Sequence, residues 1–149
     1  FFYLMCINRL IQSQENEIKM EAAMNVNFNK RDPLYEQVVR HFKEEIAAGK
    51  LLPGQEMPSR RELASQLKIN PNTAQRAYKE MEEQGLIYTE SNSPSKVSEN
   101  QSVLGAVQDE LLGEAVSSFV SAIRPIQVPL DKVIGLIKEK YVDESGGVK

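Results

Sequence analysis

Asn70-Pro71-Asn72-Thr73-Ala74-Gln75-Arg76-Ala77-Tyr78 is the stretch that decides the fold of this chain. An asparagine side chain can accept a hydrogen bond from the free N–H groups at a helix start. A proline directly after it occupies the one position where no N–H is needed. The pair predicts a helix beginning at Pro71. Ala74, Ala77, Tyr78 and Met81 recur at three- and four-residue steps and form its buried face, and Gly85 ends it after about Gln84. The opposite face is left polar and cationic.

Two further helices are expected upstream. Ser59 and Glu62 have the spacing of a capping box, opening a short helix from Arg60 to about Lys68 that buries Leu63, Ala64 and Leu67. Before it, Asp32 can cap a helix with Pro33 at its first position. Leu34, Val38, Phe42 and Ile46 lie along one face of that helix, Gly49 closes it, and Pro53-Gly54 makes a turn. Downstream, Leu86-Ile87-Tyr88-Thr89 has strand composition, Ser91-Asn92-Ser93-Pro94 reads as a turn, and Lys96-Val97-Ser98 returns as a short partner strand. Three helices followed by a small β-hairpin is the order of a winged helix-turn-helix. The fold class expected is mostly α with that one hairpin.

Residues 30–100 therefore read as the winged domain, residues 1–29 as an N-terminal extension, and residues 101–149 as a helical dimerisation region. The native start is expected near Met24, so the origin of residues 1–23 is open, and the extension reads as a frayed or partner-docked tail. In the last part, Leu104, Val107, Leu111, Ala115, Phe119 and Ile123 make a helical stripe, widened by Leu112, Val116 and Val120. Pro125 and Pro129 bracket a break. Leu130, Val133, Ile134, Ile137 and Tyr141 mark a second amphipathic helix, and Asp143 to Gly147 reads as a flexible end. Two helices with wide apolar faces cannot bury them alone. The first stripe together with Val133, Ile134 and Ile137 is the expected face toward a second copy of the chain, and packing on the winged domain is the alternative.

Composition narrows the function. The 149 residues carry a net charge of −3. A single cysteine, Cys6, excludes an intramolecular disulfide framework and a cysteine-based zinc site, and a single histidine, His41, leaves little for metal or acid–base chemistry. No glycine-rich phosphate loop and no nucleophile with a histidine base is present. No apolar run approaches the ~20 residues of a membrane helix. The expectation is a cytoplasmic protein without enzymatic activity, cofactor, metal or membrane partner. Charge is unevenly placed, however. Between Ser59 and Lys79 stand five basic residues (Arg60, Arg61, Lys68, Arg76, Lys79) and one acidic residue, Glu62. Such a local excess neutralises DNA phosphates and releases counterions. On a helix that enters the major groove, Asn and Gln pair with adenine and Arg with guanine. Asn72, Gln75 and Arg76 are thus the candidates for base readout, Thr73 for phosphate contact and Asn70 for the cap. Arg60, Arg61 and Lys79 complete the candidate surface, with Lys96 as the one cation of the hairpin.

Pro58-Ser59-Arg60-Arg61-Glu62-Leu63-Ala64, the Asn70–Tyr78 stretch and Glu82-Glu83-Gln84-Gly85-Leu86-Ile87 together resemble the GntR family of bacterial transcription regulators. Pro33-Leu34-Tyr35-Glu36-Gln37 and Gly49-Lys50-Leu51-Leu52-Pro53-Gly54 fit the same pattern, and the short two-helix tail is similar to that of the YtrA subfamily. The resemblance implies that Arg61 reaches the DNA backbone or a base edge, and that Asn70, Asn72, Thr73, Gln75 and Arg76 lie on the recognition-helix surface. It further implies a homodimeric repressor of transporter genes reading a palindromic operator, with residues 101–141 setting the separation of its two recognition helices. The hairpin departs from the family pattern: Glu90-Ser91-Asn92-Ser93-Pro94-Ser95-Lys96-Val97 has neither the arginine nor the glycine of the usual wing. That departure supports the alternative of a winged-helix module that binds protein. A small-molecule effector, unidentified, would have to sit at the dimer interface because the tail is too short to enclose one.

Overall fold

The computed structural model describes residues 2–145. Six α-helices and two short strands follow one another among them: α1 (Phe2–Ala23), α2 (Leu34–Ala47), α3 (Arg60–Leu67), α4 (Pro71–Glu83), β1 (Ile87–Tyr88), β2 (Lys96–Val97), α5 (Gln101–Ile123) and α6 (Leu130–Ser145). A 3-10 turn, Arg124–Ile126, separates the last two helices. The fold class is the expected one. Two compact units divide between Asp109 and Glu110, inside α5.

The first unit is built on α4, which packs against both α2 and α3. Val38, Phe42, Leu63, Ala74, Ala77, Tyr78 and Met81 meet there, all essentially without solvent exposure, with Leu51, Leu86, Ile87 and Val97 closing the core. Burying the larger of these, Val38, Phe42, Leu63 and Met81, contributes about 1.5–3 kcal/mol each, which is what holds three short helices together. Leu34 departs from its expected stripe and is exposed, while Val39 is buried. The start of α2 also differs from expectation. Pro33 takes the cap position itself, without a side-chain cap, and Asp32 instead accepts a hydrogen bond from Asn29 Nδ2 at 3.0 Å.

Helix ends are closed by one device used three times. After α2, Gly49 (φ 71°) donates to Ile46 O and Lys50 N to Glu45 O. After α4, Gly85 (φ 71°) donates to Glu82 O and Leu86 N to Met81 O. These are Schellman closures, whose left-handed residue is cheapest as glycine. After α3 the same pattern joins Lys68 N to Ser65 O and Ile69 N to Ala64 O, but the left-handed residue is Lys68 at φ 54°.

The strands pair antiparallel, Ile87 opposite Val97 and Tyr88 opposite Lys96. On the other edge of β2, Gly54 N donates to Val97 O, Val97 N to Gln55 O and Met57 N to Ser95 O. Residues 54–57 thus line the free side of the hairpin and fix it to the loop that precedes α3.

The N-terminal segment, expected as a frayed or partner-docked tail, is an α-helix. Residues 2–23 are helical, and the helix end is held where His41 Nε2 meets the Ala23 carbonyl oxygen. Its first half leaves Phe2, Tyr3, Leu4, Met5 and Leu10 exposed. The start of α5 belongs to the first unit. Val107 is 4% exposed and Gln108 Nε2 donates to Ala47 O at 3.3 Å. Val107, expected at an interface between copies, is therefore buried in its own unit instead.

The second unit is the rest of α5 joined to α6 through the 3-10 turn. Gln127 (φ 55°) lies between the 3-10 turn and α6. The end at Asp143 to Ser145, expected to be flexible, continues α6, since no glycine or proline stands between Gly135 and Ser145. Gly146 and Gly147 lie outside the described residues. Not one residue from 110 to 142 is buried. Leu112, Val116, Phe119, Val120, Ile134 and Ile137 are all at least 39% exposed. A cleft of about 500 Å³ runs between its elements, walled by Phe119, Ile123, Ile126, Val133, Leu136 and Ile137 and edged by Lys132 and Lys140.

Candidate nucleic-acid interface

The α3–α4 pair positions the candidate residues. Ser59 Oγ accepts from Glu62 N at 3.2 Å while Ser59 N donates to Glu62 Oε2 at 2.7 Å, a complete capping box. The bond donated by Ser59 N to the carboxylate, and to a lesser degree the Ser59 hydroxyl beside it, hold the Glu62 carboxyl below its ordinary pKa. The chain then turns through Lys68 and restarts at Asn70, whose Oδ1 accepts from Asn72 N at 2.8 Å with Pro71 in the first turn. Both expected caps are in place.

With Ala74, Ala77, Tyr78 and Met81 turned inward, Asn72, Gln75, Arg76 and Lys79 stand on the exposed face of α4. Steps of three, four and seven residues put them on one side of the helix. Neither Asn72 nor Gln75 uses its side chain in a hydrogen bond among the described residues, so their amides are free for an outside partner. Thr73 is half-buried beside the cap. Lys79 lies 3.7 Å from Glu83, with both side chains mostly exposed; such a pair contributes only tenths of a kcal/mol and yields readily. Arg61 is exposed at the start of α3.

Arg60 is placed differently. Its Nη2 lies 3.2 Å from Glu82 Oε1 and its guanidinium carbon stands over the Tyr78 ring. Glu82 Oε1 also accepts from Thr89 Oγ1 at 2.6 Å, and Thr89 Oγ1 is 2.6 Å from Ser95 Oγ. One carboxylate of α4 thus ties together α3 and the hairpin. The Tyr78 hydroxyl donates to Pro58 O, and its pKa is raised, chiefly by burial. Arg60 is used within the fold, in contrast to its neighbour Arg61. Lys96 is half-buried in β2, where its backbone pairs antiparallel with that of Glu56.

Two residues that sequence reasoning did not single out complete the site. Glu82 gave no signal, being one of several glutamates near the end of α4. Tyr35, in the first turn of α2, lies beneath Arg76, the guanidinium carbon being 3.8 Å from the ring centroid. The Tyr35 hydroxyl donates to Glu36 Oε1 at 2.8 Å, and this bond is the main reason its pKa is raised; the charge of Arg76 acts the other way.

Among the described residues no cluster of three metal-ligating side chains occurs, and no helix is long and apolar enough to cross a membrane.

The sequence signature of the bacterial regulatory proteins of the gntR family matches residues 34–97. Over 120 residues the chain is 32% identical to the uncharacterized HTH-type transcriptional regulator YhcF of Bacillus subtilis, covering 80% of this chain and 93% of that one. Over 118 residues it is 36% identical to the HTH-type transcriptional repressor YtrA of the same organism, covering 78% and 91%. Among solved structures, a GntR family transcriptional regulator from Listeria monocytogenes superposes with a TM-score of 0.68 at 30% identity, over 75% of this chain and 98% of its own. A transcriptional regulator from Oenococcus oeni superposes with a TM-score of 0.66 at 31% identity, over 78% and 97%.

Proposed function

The chain belongs to the GntR family of DNA-binding bacterial transcription regulators, and from that premise we propose that it is a homodimeric repressor reading a palindromic operator through the major groove. The observation that carries this reading is the face of α4, where Asn72, Gln75 and Arg76 project from a helix capped by Asn70 and backed by a packed core. In this reading the three side chains contact base edges, while Thr73, Arg61 and Lys79 contact phosphates. Asn70 acts through the cap and Arg60 through the fold. Lys96 supplies what phosphate contact the hairpin retains.

The dimer is supported by the second unit. A unit with this much apolar surface and no buried residue between 110 and 142 needs a partner, and two joined helices can present a face self-complementary about a twofold axis. Leu111, Ala115, Phe119, Ile123, Val133, Ile134 and Ile137 form the proposed contact face, and Leu104, half-buried in the first unit, is a further proposed contact. Two recognition helices held by such an interface would enter major grooves one or more helical turns apart, ~34 Å or a multiple. Repression is supported by the name of the Bacillus relative, a transcriptional repressor. Transporter genes as targets, an effector at the dimer interface and a cytoplasmic location are part of the same proposal and rest on the subfamily resemblance.

Selection of bound duplexes from a random library, followed by a salt titration on the winning sequence, tests the reading. A twofold-symmetric winner, bound with a steep salt slope by a dimer in sedimentation, is the expected result. Absence of salt-dependent binding overturns it and brings forward a protein-binding role, which the hairpin, lacking arginine and glycine, favours.

A further inference from the structure

Arg76 is the one arginine on the exposed face of α4, and it makes no ion pair among the described residues. Its guanidinium carbon sits 3.8 Å from the centroid of the Tyr35 ring, so the cation rests on the aromatic face. The two residues are 41 positions apart and meet because α2 packs against α4. A guanidinium carries its N–H donors in its own plane. Stacking therefore occupies the faces of the group and leaves the edges, the part that reads a base, available to an acceptor pair. Freezing an arginine otherwise costs rotamer entropy, and a stack that forms before DNA arrives removes part of that cost.

Resting on the DNA-binding reading above, we infer that Tyr35 is a specificity-determining positioning residue: its ring holds the Arg76 guanidinium in place for bidentate readout of one guanine in each operator half-site. Tyr35 touches no base in this arrangement and acts only through Arg76. The hydroxyl is dispensable because it is turned to Glu36, whereas the ring face is required.

The test uses the full chain and the duplex that the wild type selects from a random library, with every single-base variant of it. Compared are the wild type, Tyr35→Phe, Tyr35→Leu, Arg76→Ala and the double variant Tyr35→Leu/Arg76→Ala, each checked for folding by its thermal transition. Tyr35→Phe, which keeps the ring, retains the wild-type profile. Tyr35→Leu, which keeps an apolar side chain and loses the π face, weakens the selected duplex roughly three- to tenfold. It flattens discrimination at the same base pair as Arg76→Ala and leaves random duplex binding unchanged. The double variant is no weaker than Arg76→Ala alone. Independently of DNA, the Arg76 Nε–H resonance carries a ring-current shift in the wild type and Tyr35→Phe that disappears in Tyr35→Leu.

Additive losses from Tyr35→Leu and Arg76→Ala, a uniform loss on all duplexes, or no ring-current shift overturns the inference alone. A wild type that discriminates between no two duplexes overturns the DNA-reading proposal with it. The two failures are thereby distinct.

Discussion

The guanidinium carbon of Arg60 lies 5.1 Å from the centroid of the Tyr78 ring. Tyr78 is buried in α4, and its hydroxyl donates to the Pro58 carbonyl just ahead of α3. One tyrosine therefore fastens the first turn of α3 twice, once through its ring and once through its oxygen, and Glu82 adds the ion pair to Arg60.

Arg60→Ala is expected to lower stability by about 1 kcal/mol, the sum of a modest cation–π contact and a partly exposed ion pair. Urea denaturation measures it. The salt slope of DNA binding should stay as in the wild type, and a slope reduced by one unit would return Arg60 to the phosphate-contacting set.

Arg61, one residue on, is expected to behave in the opposite way. Arg61→Ala should change stability by less than about 0.5 kcal/mol, as exposed positions usually do. Its effect should appear in a salt titration on random duplex, as a slope shallower by about one. Equal slopes for wild type and variant would remove Arg61 from the interface.

Lys68 occupies a left-handed conformation that glycine adopts at Gly49 and Gly85 in the matching closures. Relieving it with Lys68→Gly should stabilise the protein by roughly 0.5–1 kcal/mol, less the extra entropy of a glycine in the unfolded chain. Thermal or urea unfolding decides this, and a destabilised variant would mean that the lysine side chain makes a compensating contact.

The depressed pKa of Glu62 gives a pH dependence of defined sign. A carboxyl more acidic when folded contributes stability above its unfolded pKa of about 4.3, and that contribution is lost as pH falls through the lower folded value. Glu62→Gln, which still satisfies the capping-box pattern, should unfold with a shallower acid limb below about pH 4. An unchanged limb would place the acid sensitivity in other carboxylates.

The hairpin turn carries Glu90 and an asparagine at positive φ, Asn92, with no arginine. Glu90→Arg should tighten binding to random duplex and steepen the salt slope by about one, without altering which sequence is preferred. Unchanged affinity would place the hairpin away from the phosphates.

Local signals were the legible part of this chain. Ser59 with Glu62, and Asn70 with Pro71, announce their helices because capping is decided within four residues. The inward face of α4 followed from period alone, and all four of its expected residues are buried. Contacts between residues distant in sequence were not legible. Arg60 with Glu82 and Arg76 with Tyr35 depend on how α2, α3 and α4 pack, so a count of positive charge could not tell the arginine used in the fold from those left exposed. The α1 segment failed for a related reason. Residues 2–23 lack any capping signal, and only the absence of glycine and proline spoke for a helix. Val107 shows the same limit, since a stripe of apolar positions does not say which of them meets its own unit.

The second unit, with no buried residue between 110 and 142, has a consequence for dosage. In the proposed assembly two chains must meet before an operator is filled, so at low abundance occupancy follows the square of chain concentration. Halving the number of copies then empties the operator about fourfold rather than twofold. The amount of the regulator made in a cell becomes a signal in its own right, read by the same pair of helices that lacks a core.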